Sequence, residues 1–251
     1  MIEVENLCKS FDNVPVLKNI STSFEKGKTN MIIGQSGSGK TVLLKCMLGL
    51  FTPESGDICY NNKHYSKMTT KEKRDLRKEM GMLFQGGALF DSLSVENNIM
   101  FPLKMFTDKP YEEMLERVNT VLKRVNLENS NAKFPAELSG GMQKRVALAR
   151  AIVMNPKYLF CDEPNSGLDP KTSIVIDNLV QEITKEYEIT TIINSHDMNS
   201  VMEIGEKIVF LKHGVKAWEG SNKDILHTDN EIVADFVYSS EMMKKVRKSY
   251  L

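Results

Sequence analysis

The chain has 251 residues, long enough for one large domain or for a domain with an appended subdomain, and able to bury a sizeable core. Lys plus Arg and Asp plus Glu balance at 33 each, so no global field draws in nucleic acid or an anionic membrane, and any phosphate must be held by a local site. No stretch approaches the roughly 18 consecutive apolar residues needed to cross a bilayer; even IVFLKHGVKAW is broken by charge.

The opening MIEVENLCKS is acidic where a secretory leader starts basic, so no export is expected. Apolar β-type runs then alternate with helical ones: TNMIIG before TVLLKCMLGL, YLFCDE before KTSIVIDNLVQEI, ITTIINS before MNSVMEIG, and a final KIVFLK. This alternation predicts an α/β fold with a largely parallel central sheet, whose chemistry belongs at the carboxyl ends of the strands. The N-terminal part is expected to be β-rich. From Gly86 to about residue 155 the strand signals vanish, and Met114, Leu115, Val118, Val121, Leu122 and Val125 recur at helical spacing. A helical insert packed on the α/β core is expected there. Cys8, Cys46, Cys59 and Cys161 show no CxxC spacing, and small buried hydrophobes are the plain reading.

Residues 34–41 read GQSGSGKT, between an apolar strand and an apolar helix. The pattern G-x-x-x-x-G-K-[ST] in that context is a P-loop. Gly34, Gln35, Ser36, Gly37, Ser38 and Gly39 let backbone N–H groups curl around phosphate oxygens at a helix N-terminus; Lys40 reaches the β- and γ-phosphates. Thr41 is placed to hold Mg²⁺, and Val42 continues the helix. A second element is YLFCDE, an apolar strand ending in Asp162 and Glu163. Charges at the end of a buried strand need compensation, which a Mg²⁺ ion oriented by Asp162 supplies; Glu163 points elsewhere and is placed as general base. A third is LSGGMQ, residues 138–143, opening the helix that runs through RVALARAIVM. Ser139 suits an N-cap, and Gly140 and Gly141 are expected to expose backbone donors, a second anion site. One ATP needs one cradle, so the second is expected to serve a nucleotide carried by another copy.

These three motifs in this order, with a helical insert between the first two, resemble the ABC-type ATPases over about residues 1–225. The resemblance implies an ATP-hydrolysing domain over residues 1–226 with its helical subdomain at about 86–155, and a C-terminal helical tail at 227–251. It also implies roles for further residues. Gln85 falls where the family has a metal- and water-contacting glutamine, and His196 where it has a histidine on the γ-phosphate. Phe11 falls where an aromatic stacks on adenine, and SGLD at 166–169 where an interface loop lies. A hydrogen-bonded structural histidine, a core aromatic and an exposed polar glutamine are the plainer alternatives. Val42 and Met142, with GKTVLLKCMLGL and QGGALFDSLSVENNIMFPL, resemble the MlaF-like subgroup, ATPases of phospholipid-trafficking systems that work with MCE proteins. That implies a homodimer on the cytoplasmic face of the inner membrane, bound to a permease and through it to an MCE-type lipid-binding protein, with ATP and Mg²⁺ as cofactors. An amino-acid or lipoprotein transporter ATPase is the alternative.

Two expectations concern surfaces. Leu89, Phe90 and Leu93 follow Gln85 in a loop, and are read as a groove for a cytosolic helix of the permease rather than as core. Phe236, Met243, Val246 and Tyr250 share one helical face, expected to pack on the neighbouring copy ahead of its own core or the membrane surface.

Overall fold

The computed structural model describes residues 1–238. Its centre is a six-stranded sheet in the order β10-β9-β3-β8-β7-β6. The strands are β3 (Thr29–Ile33), β6 (Met80–Leu83), β7 (Tyr158–Asp162), β8 (Thr190–Ser195), β9 (Lys207–Lys212) and β10 (Val215–Gly220). The first five run parallel and β10 returns antiparallel to β9. Every residue of β3 and β8 is buried. Helices cover a parallel sheet on both faces, which is why these strands read as continuous rather than alternating apolar runs.

The β-rich N-terminal part is a separate antiparallel sheet, order β2-β1-β4-β5, made of β1 (Ile2–Phe11), β2 (Val14–Phe24), β4 (Ser55–Tyr60) and β5 (Lys63–His64). Asp12 and Asn13, both with positive φ, make the tight turn that joins β1 to β2. One face of this sheet is buried: Ile2, Val4, Leu7, Ile20, Phe24 and Ile58 pack with α1 (Lys40–Met47) and with Ile32, Phe160 and Ile192 of the central sheet. Helix α1 is thus clamped between two sheets, and the loop that precedes it is held from both sides.

The insert is helical, as its periodicity predicts, with α3 (Val95–Phe106), α4 (Tyr111–Arg124) and α5 (Gly140–Ile152). On α4 the buried residues are Met114, Val118, Val121 and Leu122, with Val125 buried just beyond. They join one apolar cluster with α5 and with Leu159 and Cys161 of β7. The insert therefore rides on the core through α5. Ahead of it, α2 (Thr70–Lys78) starts with a capping box in which Thr69 and Glu72 satisfy each other's backbone N–H groups.

The expected boundary at 226/227 falls inside a 3-10 turn, Asp224–His227. Beyond it, α8 (Glu231–Val237) returns to the core: Val233, Val237 and Tyr238 belong to the main apolar cluster, and the Phe236 ring lies 5.0 Å from Phe210 of β9. Residues 227–238 thus belong to the body of the protein. Burial of Val233, Ala234 and Val237 is what outweighs the independence their polar surroundings in the sequence suggest. Met243, Val246 and Tyr250 lie outside the described residues.

Candidate functional site

The loop between β3 and α1 is shaped by glycines. A Cβ on Gly34 would lie 2.2 Å from the Leu211 carbonyl oxygen, so backbone of β9 excludes any side chain there. Gly37, at φ +77°, opens onto free space, and Gly39, at φ +104°, ends the loop as N-cap of α1. No side chain caps that helix end, so its first N–H groups face the cleft. Lys40 is buried, and its Nζ donates to the carbonyls of Gly34 and Gln35 at 2.9 and 3.1 Å. Burial pulls the Lys40 ammonium below the usual lysine value, against the opposing pull of Glu163 and Asp162. A cation held inside the curl of its own loop, with its charge under-solvated, has phosphate oxygens as its natural partner.

Strand β7 delivers the two carboxylates. Asp162 Oδ1 accepts from the Thr41 hydroxyl at 3.3 Å and from the Asn194 amide at 3.0 Å. Glu163 stands at φ +47°, a left-handed conformation that breaks the strand's alternation and re-aims its side chain. That turn brings three elements together. Glu163 Oε2 accepts from the Gln85 amide at 2.9 Å, and Oε1 lies 3.0 Å from His196 Nδ1. The Gln85 amide also reaches Ser166 Oγ at 3.3 Å. Gln85 lies just after β6, Glu163 after β7 and His196 after β8, so three adjacent parallel strands converge with their carboxyl ends on one point.

The cleft so formed is about 760 Å³, and its walls include Gln35 to Gly37, Lys40, Thr41, Gln85, Glu163 and His196. The Thr41 hydroxyl in its wall and the Asp162 carboxylate hydrogen-bonded to that hydroxyl are hard oxygen ligands that suit Mg²⁺, beside the cradle made for phosphate. Val42 also lines the cleft, and Val16 and Phe236 add apolar walls the sequence reading did not assign. Phe236 was legible only as a member of an apolar face; the return of α8 to β9 puts it here.

Other expected site residues lie elsewhere. Phe11, 39 % exposed, packs edge-on against Phe51 with the Lys9 ammonium above its ring, outside the lining of the cleft. Ser139 does cap α5, accepting from Met142 N–H at 3.3 Å. The two glycines differ. Gly140 is exposed, but Gly141 is buried, and a Cβ there would meet Thr172 Cγ2 at 2.4 Å. Gly141 therefore permits close packing of α5 on α6 (Pro170–Glu186). None of residues 139–141 lines the cleft of its own chain. In the SGLD loop, Asp169 caps α6 by accepting from Thr172 N–H and Oγ.

Two positioning contacts carried no recognisable sequence signal. Lys144 of α5, 6 % exposed, donates to the Gln85 carbonyl, and Arg150 of the same helix donates to the carbonyls of Gly87 and Ala88 at 2.8 Å. One helix thus begins with Ser139–Gly141 and holds the segment that follows Gln85.

The family model for ABC transporters matches residues 17–166. The chain is 41 % identical over 226 residues to a methionine import ATP-binding protein MetN of Clostridium tetani, covering 90 % of this chain and 70 % of that one. It is 36 % identical over 238 residues to a probable ribonucleotide transport ATP-binding protein mkl of Mycobacterium leprae, covering 94 % and 68 %. Among solved structures, a dimeric ATP-binding cassette in a post-hydrolysis state bound to ADP and Pi superposes with a TM-score of 0.79 at 30 % identity, over 88 % of this chain and 99 % of that one. CbiO1 of Clostridium perfringens, part of the ABC transporter complex cbiONQ, gives 0.84 at 31 % identity over 98 % of each chain. Sequence, fold and cleft agree: the chain belongs to the ABC transporter family and is its ATP-hydrolysing cassette.

Proposed function

We propose that two copies of this chain sandwich two ATP molecules head to tail and drive an integral membrane permease from the cytoplasmic face of the inner membrane. The observation that carries this reading is a separation. Lys40, Thr41 and Glu163 line one cleft, whereas the capped start of α5 is not part of its lining. Each nucleotide would lie between the cleft of one copy and Ser139–Gly141 of the other. In the chemistry, Thr41 and Asp162 would hold Mg²⁺, which would supply neutralisation of phosphate charge. Lys40 leaves the carbonyls of Gly34 and Gln35 for the phosphates. Glu163, oriented by Gln85 and His196, takes the proton of the attacking water. A mixing experiment tests the shared site. Lys40→Ala and Ser139→Arg chains, each inactive alone, should regain part of the ATPase activity together, because one hybrid site is intact; no recovery rejects it.

The permease contact is proposed at an apolar groove of about 430 Å³ beside the same segment, walled by Phe84, Phe90, Phe101, Phe106 and Met154. Phe90 is 42 % exposed and stacks at 4.8 Å on Phe101. Leu89 packs against the core instead, and Leu93 is half-buried, so of the three expected anchors Phe90 is the one presented.

For the cargo we propose phospholipid, with an MCE-type protein bound through the permease, on the Val42 and Met142 substitutions and their flanking segments. A second reading, import of an amino acid, is favoured by the methionine importers among the relatives. Identification of the integral membrane protein that co-purifies with the chain at native expression separates the two.

A further inference from the structure

The hairpin β4–β5 turns on Asn61 and Asn62, at φ +48° and +65°. Two successive left-handed residues make the type I′ turn that fixes a two-residue hairpin, and they set Cys59 directly opposite His64. On its other side β4 pairs with β1, where Glu5 stands diagonal to Cys59 on the same face of the sheet. Backbone register thus assembles three ligand types that the sequence holds apart. Cys59 Sγ lies 3.1 Å from His64 Nδ1 and 3.9 Å from Glu5 Oε1, and the three ligand atoms lie within 4.8 Å of one another. A tetrahedral Zn²⁺, with bonds of about 2.0–2.3 Å, holds its ligand atoms about 3.3–3.5 Å apart. The triad meets that spacing by a small opening of the Cys59–His64 contact and a movement of the exposed Glu5 side chain.

The contacts around His64 show why the cluster suits an ion. Nδ1 also lies 3.1 Å from Asp57 Oδ2, so one ring nitrogen faces a sulfur and a carboxylate at once and has one proton to offer. Asp57 is held independently: Ser66 Oγ donates to Oδ2 at 2.6 Å, and the N–H groups of Ile58 and Ser66 donate to Oδ1. It can release the imidazole without losing its place. Cys59 is 3 % exposed, which keeps the sulfur from bulk solvent, while His64 and Glu5 open the cluster on the solvent side. We propose that Glu5, Cys59 and His64 form a site for a thiolate-binding divalent cation of the Zn²⁺ class, with water in the fourth position and Asp57 as the neighbouring carboxylate. The ion would lock β5 and β4 onto β1, fastening the N-terminal sheet that flanks α1.

The test uses the nucleotide-free full-length chain in excess Mg²⁺, so that hard-oxygen sites are filled. Calorimetric titration with Zn²⁺ should show one equivalent bound per chain. Co²⁺ in its place should produce the charge-transfer absorption of a thiolate-ligated ion. Cys59→Ser should abolish that absorption and weaken Zn²⁺ at least tenfold, and His64→Gln should weaken it at least tenfold, since even second-shell losses reach about 10–100-fold. Basal ATPase activity of both variants should stay that of the wild type. Absence of a stoichiometric site, an unchanged affinity in His64→Gln, or a cobalt–thiolate band that survives Cys59→Ser overturns the proposal. His64 lies on an edge strand and is part-exposed, so its variant reports even if Cys59→Ser folds poorly.

Discussion

The Gln85 side-chain amide donates to Glu163 Oε2 at 2.9 Å, while the Gln85 carbonyl accepts from Lys144 of the helix that opens with Ser139. One residue therefore touches the proposed base with its side chain and the helical insert with its backbone. Movement of the insert would have a direct path to the proposed base, through a hydrogen bond at each end rather than through a long series of contacts.

Glu163→Gln keeps the left-handed turn and the size of the side chain but cannot accept a proton. Turnover should fall by about 10²- to 10⁴-fold, with ATP still bound and the ATP-loaded dimer accumulating in gel filtration. A normal rate would place the base elsewhere.

Lys40→Ala removes a charge that faces the phosphates in the ground state as well as during transfer. Nucleotide affinity, read by fluorescent ATP titration, should drop at least tenfold, in contrast to Glu163→Gln. Unchanged affinity would refute the role given to the ammonium.

Ser139→Arg loses the cap of α5, at a cost of about 1 kcal/mol, and places a long cation where the partner's nucleotide is proposed to sit. ATPase activity should vanish while ATP binding to the isolated monomer stays within twofold of wild type. A monomeric variant that hydrolyses at full rate would remove the basis for a shared site.

Phe90→Asp alters a ring that is already 42 % exposed, so the melting temperature and basal ATPase activity should change little. Co-purification of the membrane partner should be lost. Retained co-purification would move the permease contact away from this groove.

Asp177 supplies a pH test. It is 4 % exposed, and burial raises its carboxyl above the usual value despite hydrogen bonds from Ser200 and Asn165, the latter at 2.7 Å. A folded-state pKa above the unfolded one means that the proton is bound more tightly in the fold. Its stabilising contribution is full below the unfolded value of about 4 and is lost as pH rises through the folded value. Above the folded value the wild type carries a buried carboxylate that Asp177→Asn does not. The variant should melt at or above the wild-type temperature at pH 7, and that difference should narrow as the pH falls toward 4. A gap independent of pH would contradict the assignment.

What the amino-acid order determined by itself is local chemistry. The P-loop was legible because β3, the glycines and α1 are contiguous, although the contacts that exclude a side chain at Gly34 and Gly39 come from distant Leu211 and Leu17. Asp162 and Glu163 were legible because two charges ending a fully apolar strand need a partner; α4 was legible because Met114, Val118, Val121 and Leu122 repeat with the helical period. Tertiary structure alone decided which distant residues meet. The convergence of Gln85, Glu163 and His196 depends on strand order β8-β7-β6, and no local pattern encodes which strand lies beside which. Phe236 reaches the cleft because α8 folds back onto β9, a gain in buried apolar area that is invisible to periodicity. Gly141 serves packing against Thr172, which lies in another helix. Cys59, read from its spacing as an isolated thiol, stands beside His64 and Glu5 because the turn at Asn61–Asn62 and the pairing with β1 set a register. In a sheet, residues far apart along the chain become neighbours at about 5 Å, and register is a property of the paired strands together.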